Sequence, residues 1–497
     1  MSRTPQIAAR RFSTRATAVS LMSAAAIAIS GAVPAVSYAA TSAGTDQASA
    51  LAVAGNTAAA LRTIKVNTTA NLTKALASAL PGDRITLADG TYSLGSDIKI
   101  AKSGTAQNPI VIAAENIGKA IIKGSGTFDI TASHIAVEGF VFNNSSTLEV
   151  PVGSHHVRLS RNVFQLSSSV KNWVSVAGDD AEVDHNTFQK KSTVGVFLQI
   201  IGPGTADMAK RVHIHRNLFK EHTFGGTNGG ESIRLGLSTR QHGKAAALVE
   251  NNLFDKANGD PEAISVKSSD NVIRHNTIRN SKGTITLRHG WNNTVDGNML
   301  IGGTAGIRVF GNDHVVINNV VQNSTRSPLV ELGGGDIKDD TKNLNVHEAA
   351  DRILVAHNTL VSAGLGISTV LQVGASGEKF NPDTVTVANN IMVGGVRVEK
   401  STNLTWQGNL ATVKTTAMPI TGYRVVNPQL VQADGLYRLS PLSPALRAAT
   451  VTVDKVTSDM DGQARPQQNR SIGADELVID GTDRNPFTSL VVGPAAP

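Results

Sequence analysis

The sequence predicts an all-β fold, a single-stranded right-handed parallel β-helix with an N-terminal capping helix. Three observations predict it. A short Asn motif recurs at a basal spacing a little over about twenty residues, the period range of β-solenoids. Between the motifs, apolar and polar residues alternate as they do in strands. The composition is globular, with 46 Gly and only 4% aromatic residues in 497, and it carries many short β-branched runs.

The motif is Asn, then a small and an apolar residue. It reads "RNVF" at Asn162, "HNTF" at Asn186, "RNLF" at Asn217, "NNLF" at Asn252 and "HNTI" at Asn276. It continues as "GNML" at Asn298, "NNVV" at Asn319, "HNTL" at Asn358, "NNIM" at Asn390 and "GNLA" at Asn409. Successive spacings are 24, 31, 35, 24, 22, 21, 39, 32 and 19. Helical-hairpin repeats need a longer period, and the leucine-rich pattern is absent. The segments "HHVRLS", "RVHIHR", "DNVIRH", "DHVVIN" and "DRILVAH" alternate as half-buried strands do. Coils of a parallel solenoid stack roughly 4.8 Å apart. Asn at one corner of every coil can then form a ladder of amides that satisfies turn backbone. These asparagines are scaffold.

An open coil end is an exposed edge and needs a lid. "NTTANLTKALASALPGD", residues 67–83, supplies capping residues, then Leu72, Leu76 and Leu80 on one face, then a Pro-Gly stop. The coils are expected over 61–445, lid included. Residues 446–497, with "RLSPLSPAL" just before them, read as a loop-rich closing segment.

Residues 1–39 read as a secretion signal: Arg3, Arg10, Arg11 and Arg15, an apolar stretch broken by Gly31 and Pro34, and small residues at Ser37 and Ala39. The apolar core is too short to span a bilayer. A flexible, low-complexity linker follows over 40–60. The expected destination is extracellular or periplasmic. Without the four signal arginines the charge falls from 46 − 39 = +7 to 42 − 39 = +3. The basicity is thus mostly targeting sequence, not a nucleic-acid footprint. With no Cys, packing alone must hold the fold.

One stretch carries more than scaffold. In "AISVK", Ile264 and Val266 share a face and Ser265 and Lys267 the other; in "TITLR", Ile285 and Leu287 oppose Thr286 and Arg288. With the apolar faces inward, Lys267 and Arg288 point out. Lys267 lies 9 residues before Asn276 and Arg288 lies 10 before Asn298, so the two are expected side by side on successive rungs. Arg234 in "ESIRLG" and Arg308 in "GIRVFG" extend the row. Asn228 and Glu231, then Asp260 and Glu262, cluster just upstream. Mixed carboxylate and amide oxygens suit a hard cation, Ca2+ first. No zinc-spaced His/Cys cluster, phosphate-binding glycine loop or G-x-S-x-G elbow is present.

The stretches "NGGESIRLG", "NGDPEAISVKSSDNVIRHNT", "SKGTITLRHG" and "GTAGIRVFGNDHVVINN" resemble polysaccharide lyase family 6, the parallel β-helix enzymes that include alginate lyases and chondroitinase B. The resemblance runs from the helical lid to the "DGQ-R…IGADE" end. It implies β-elimination at a 4-linked uronic acid, alginate first and dermatan sulfate second. Lys267 would be the base and Arg288 its partner at the leaving oxygen, as acid or as stabiliser. Asn228, Asp260 and Glu262 would hold Ca2+. Glu231, Arg234, His289, Arg308 and His314 would face the substrate, an anionic uronic-acid polysaccharide, in a monomer or homodimer. Asp260 stands where the family usually has Glu. A β-solenoid hydrolase would need paired catalytic carboxylates, an epimerase a Tyr-His-Asp cluster, and a non-catalytic solenoid no base at all.

Overall fold

The structure, a computed structural model, describes residues 61–339, 345–364, 368–477 and 481–497. The signal and linker expected over 1–60 lie outside the described residues. Within the described part, strands stack into three long parallel sheets of 14, 12 and 14 strands, with one antiparallel pair at the C-terminal end. Strands of one sheet follow one another at every third strand in sequence along most of its length. That is a parallel β-helix: the chain visits all three sheets in each turn, then climbs one rung.

The ladder explains why. All ten predicted asparagines are fully buried. Asn276 shows the repeating bond set. Its Oδ1 accepts from the backbone N–H and the Nδ2 of Asn252. Its Nδ2 donates to the carbonyls of Val249 and Arg274 and to Oδ1 of Asn298. The residue before each ladder Asn bends the chain at a left-handed φ of 52–64°: Arg161, His185, Arg216, Asn251, His275, Gly297, Asn318, His357, Asn389 and Gly408. That conformation costs about 1–2 kcal/mol for most residues. The buried amide bonds offset it, since the turn's N–H and C=O groups would otherwise be orphaned.

The interior is filled in columns. Phe142, Phe164, Phe188, Phe219 and Phe254 stack ring on ring at 4.8–5.1 Å, and Ile278 and Leu300 continue the column in register. A wide aromatic column early in the chain thus gives way to an aliphatic one.

The expected lid is a helix over Thr69–Ala77, capped by Thr68, whose hydroxyl accepts from the Asn71 N–H. Leu72 and Leu76 are buried, but Leu80 lies beyond the helix and is 57% exposed. Ser78 ends the helix, so the one-face pattern stops a turn short of Leu80. The last strand joined to the coils is Tyr423–Val425. The C-terminal segment does more than close the end. It runs back along the coils: Arg484 donates to the His275 carbonyl, Phe487 N–H to Thr277, and Gly493 N–H to the Arg216 carbonyl. Arg161 Nη1 in turn donates to the carbonyls of Pro494 and Ala496. Among the described residues no helix is long and apolar enough to cross a membrane.

Candidate active site

The 12-stranded sheet carries the expected row. Strands Ile233–Gly236, Glu262–Lys267, Thr284–His289, Ile307–Val309 and Val330–Leu332 lie side by side. Ile233, Leu235, Ile264, Val266, Ile285, Leu287, Ile307 and Val309 are completely buried. Their neighbours Arg234, Ser265, Thr286, Arg308 and Glu331 therefore form one outward column, each paired with the next.

Lys267 and Arg288 do not pair as expected. The register shifts between Val266 and Lys267, and Lys267 pairs with His289. Arg288 is the extra residue of a β-bulge, and such bulges re-aim side chains. The one-residue difference in spacing to the ladder, 9 against 10, is that bulge.

The bulge sends Arg288 to Glu262, with Nη1 2.6 Å from Oε1. Arg308 Nη1 stands 3.9 Å from the same oxygen. Lys267 is 8% exposed, and its Nζ lies 3.7 Å from Glu231 Oε1. Burial pulls the Lys267 ammonium below the ordinary lysine range; Glu231 and Glu262 oppose this, and Arg234 and Arg288 assist it. Burial is the larger cause, because the bare ammonium loses hydration.

Glu231 is buried, with Arg234 Nη1 3.9 Å from its Oε2. Arg234 also donates to Gln199 on the preceding strand. Asp260 is buried and pinned: Oδ2 accepts from the Gly230 N–H at 3.2 Å and Oδ1 from the Glu262 N–H at 3.0 Å. Burial, with Glu231 and Glu262 as like charges, raises the proton affinity of Asp260. Asn228 is exposed on the loop entering this strand row.

These oxygen donors fit a hard cation. Three buried carboxylates sit within each other's field, and Glu231 Oε2 has no hydrogen-bond partner. Asp260, Glu262 and Asn228 would hold the ion, Glu262 exchanging its bond to Arg288. Among the described residues, the His/Glu/Asp groups whose ligand atoms already converge within 4.8 Å lie elsewhere, at Glu182, His213 and His215 and at Asp459, Asp461 and Asp475.

Two expected substrate contacts are placed differently. His314 is fully buried: Nδ1 accepts from the Asn293 N–H and Nε2 faces the Phe310 carbonyl. It forms a second, short ladder with Asn271 and Asn293, so it is scaffold rather than a substrate contact. His289 is 3% exposed and shares a hydrogen bond with Ser238 Oγ at 3.2 Å. Burial pushes His289 down to about 3, so it is neutral beside Lys267.

Three groups were not foreseen. Glu331 holds Arg308 and Arg326, at 3.3 and 2.6 Å. The alternation in "PLVELG" carries that signal, since Val330 and Leu332 point in. His347 stacks on Phe310 at 4.3 Å and lies 5.4 Å from the His289 ring. It comes from an insertion without periodicity, so no pattern marks it. At the turn after Lys267 and His289 opens a cavity of about 560 Å³, lined in part by Lys244, Asp270, Trp291, Arg352 and Lys455.

Lys267 thus lies buried among arginines and carboxylates on one sheet face of a parallel β-helix. The Chondroitinase B family matches residues 66–433. The chain belongs to that family, polysaccharide lyase family 6. Among solved structures, the family-6 alginate lyase AlyGC is 26% identical, with a TM-score of 0.66 over 85% of this chain and 59% of that one. This chain thus spans about three-fifths of that enzyme's length. A mannuronic acid specific family-6 lyase from human gut microbiota is 23% identical, with a TM-score of 0.63 over 73% of this chain and 90% of that one. A family-6 lyase from Pseudopedobacter saltans is 22% identical, with a TM-score of 0.59 over 75% and 97%. The last two speak for the fold. No curated protein matches the chain.

Proposed function

We propose that this protein is a secreted lyase that cleaves 4-linked uronic-acid polysaccharide, alginate first, by β-elimination. The observation that carries the reading is Lys267: buried, lowered in basicity, and fixed between Glu231 and the Arg234/Arg288 pair. A lysine of ordinary pKa, near 10.4, is charged at neutral pH and cannot accept a proton. A buried one can act as base.

In this reading neutral Lys267 takes the C5 proton of the uronate. The electrons left on C5 form the C4–C5 double bond as the C4–O bond breaks, and the departing oxygen takes up a proton. Arg288, set forward by its bulge, faces the departing oxygen and stabilises its charge. Arginine holds its own proton tightly, so water is the better proton source. Arg234 and Arg308 grip neighbouring uronate carboxylates as two-pronged donors. Glu331 and Gln199 hold those guanidiniums in the outward column. When bound by Asp260, Glu262 and Asn228, Ca2+ supplies neutralising charge to the substrate carboxylate, which makes the C5 proton more acidic.

The test follows ultraviolet absorbance from unsaturated uronate ends, with purified protein and alginate. A rise in absorbance supports elimination. Absorbance from dermatan sulfate but not alginate would move the substrate to the glycosaminoglycan side, in keeping with the family's name. New reducing ends without absorbance would replace elimination by hydrolysis.

A further inference from the structure

We propose that Glu182, His213 and His215 bind a divalent transition-metal ion of the zinc class, at a site on a different sheet from Lys267. His213 and His215 alternate on the strand His213–His215, so both imidazoles leave the same face of the 14-stranded sheet. Their rings stack at 4.0 Å. Glu182 pairs with His213 from the preceding strand, and Glu250 pairs with His215 from the following one. The ligand atoms of Glu182, His213 and His215 already lie within 4.8 Å of one another. A zinc ion bound at about 2.0–2.2 Å needs only a small closing of these side chains.

The donors choose the metal. Two imidazole nitrogens and a carboxylate suit zinc and its neighbours, whereas calcium takes oxygens. In the structure the four groups meet as crossed pairs: His213 Nε2 to Glu250 Oε1 and His215 Nε2 to Glu182 Oε1, each at 2.9 Å. Those are the atoms that would ligate. The outer oxygens are held by arginines: Glu182 Oε2 lies 3.4 Å from Arg158 Nε, and Glu250 Oε2 accepts from Arg274 Nε at 2.7 Å. Ligating carboxylates are oriented by such partners. All four side chains are only partly exposed, so the donors are preorganised yet reachable. With Glu250 as a fourth donor, the ion would clip three successive coils together, the last two of which carry Arg234 and Lys267 on another sheet.

The test titrates the full chain, stripped of metal and then held in excess Ca2+ so that oxygen-donor sites are filled. Calorimetry with Zn2+ and visible absorption with Co2+ read the binding. Wild type should take up one more equivalent than His213→Ala/His215→Ala, and its melting temperature should rise with Zn2+ while the variant's does not. Equal uptake by the two proteins, or no uptake by wild type at millimolar metal, overturns the site. Should the double variant not fold, Glu182→Gln decides. It keeps a hydrogen bond to His215 but loses the charge, so affinity should fall at least tenfold, and an unchanged affinity overturns the proposal.

Discussion

Lys267 Nζ lies 3.7 Å from Glu231 Oε1, both side chains almost wholly buried. Glu231 is therefore the charge that most opposes the lowering of Lys267 by burial and the flanking arginines. The same contact positions the amine and opposes its loss of a proton.

From this comes a pH prediction. The active form of the base is the neutral amine, so activity should rise with pH as Lys267 loses its proton. The limb should lie below the ordinary lysine range, because burial lowers the folded-state value. Glu231→Gln removes the group that raises it, so the limb should move to lower pH. A pH profile of kcat/KM checks the direction; a limb that moves upward contradicts the assignment.

Lys267→Ala should keep the fold and lose elimination by at least about 10²-fold, the usual contribution of a general base. Circular dichroism and absorbance assays read the two parts separately. Turnover close to wild type with an intact fold removes Lys267 from the mechanism.

Arg288 contacts Glu262 through one short bond. Arg288→Ala should cost activity and also free Glu262, so it should tighten Ca2+ binding while slowing cleavage. Calorimetry and kinetics on one preparation show whether the two effects separate. Ca2+ affinity that falls instead would mean Arg288 supports the cation site.

Removal of the cation is the direct check on Asp260 and Glu262. A chelator should abolish the absorbance rise, added Ca2+ should restore it, and Glu262→Gln should need more Ca2+ for half-maximal rate. Full activity after exhaustive chelation would discard this role for the oxygen cluster.

Asn276→Ala should destabilise the fold by about 2 kcal/mol or more, because it strands the buried Asn252 N–H and takes the amide donor from the buried Val249 carbonyl, each costing about 1–3 kcal/mol. Urea unfolding measures it. A loss below about 1 kcal/mol would show that the ladder is replaceable by neighbouring water.

The sequence alone determined the repeat, the inward and outward faces of its strands, and the arginines of the outward row. These depend on local rules: alternation sets the face, and a buried amide at each corner sets the period. Lys267 was legible from its position 9 residues before Asn276, Arg234 and Arg308 from alternation within their strands, and Asp260 and Glu262 from lying just upstream of Lys267. Only the tertiary structure decided the partners. The spacing of Arg288 held the extra residue, yet which partner the bulge would choose depends on Glu262 being on the next strand. His314 looked like a site residue because histidine beside a turn reads the same whether it faces substrate or caps a backbone N–H; burial separates the two. His347 and the crossed histidine–glutamate pairs arise from segments brought together across coils. Contacts of that kind depend on stacking between distant stretches of chain, which a single sequence does not encode as a pattern.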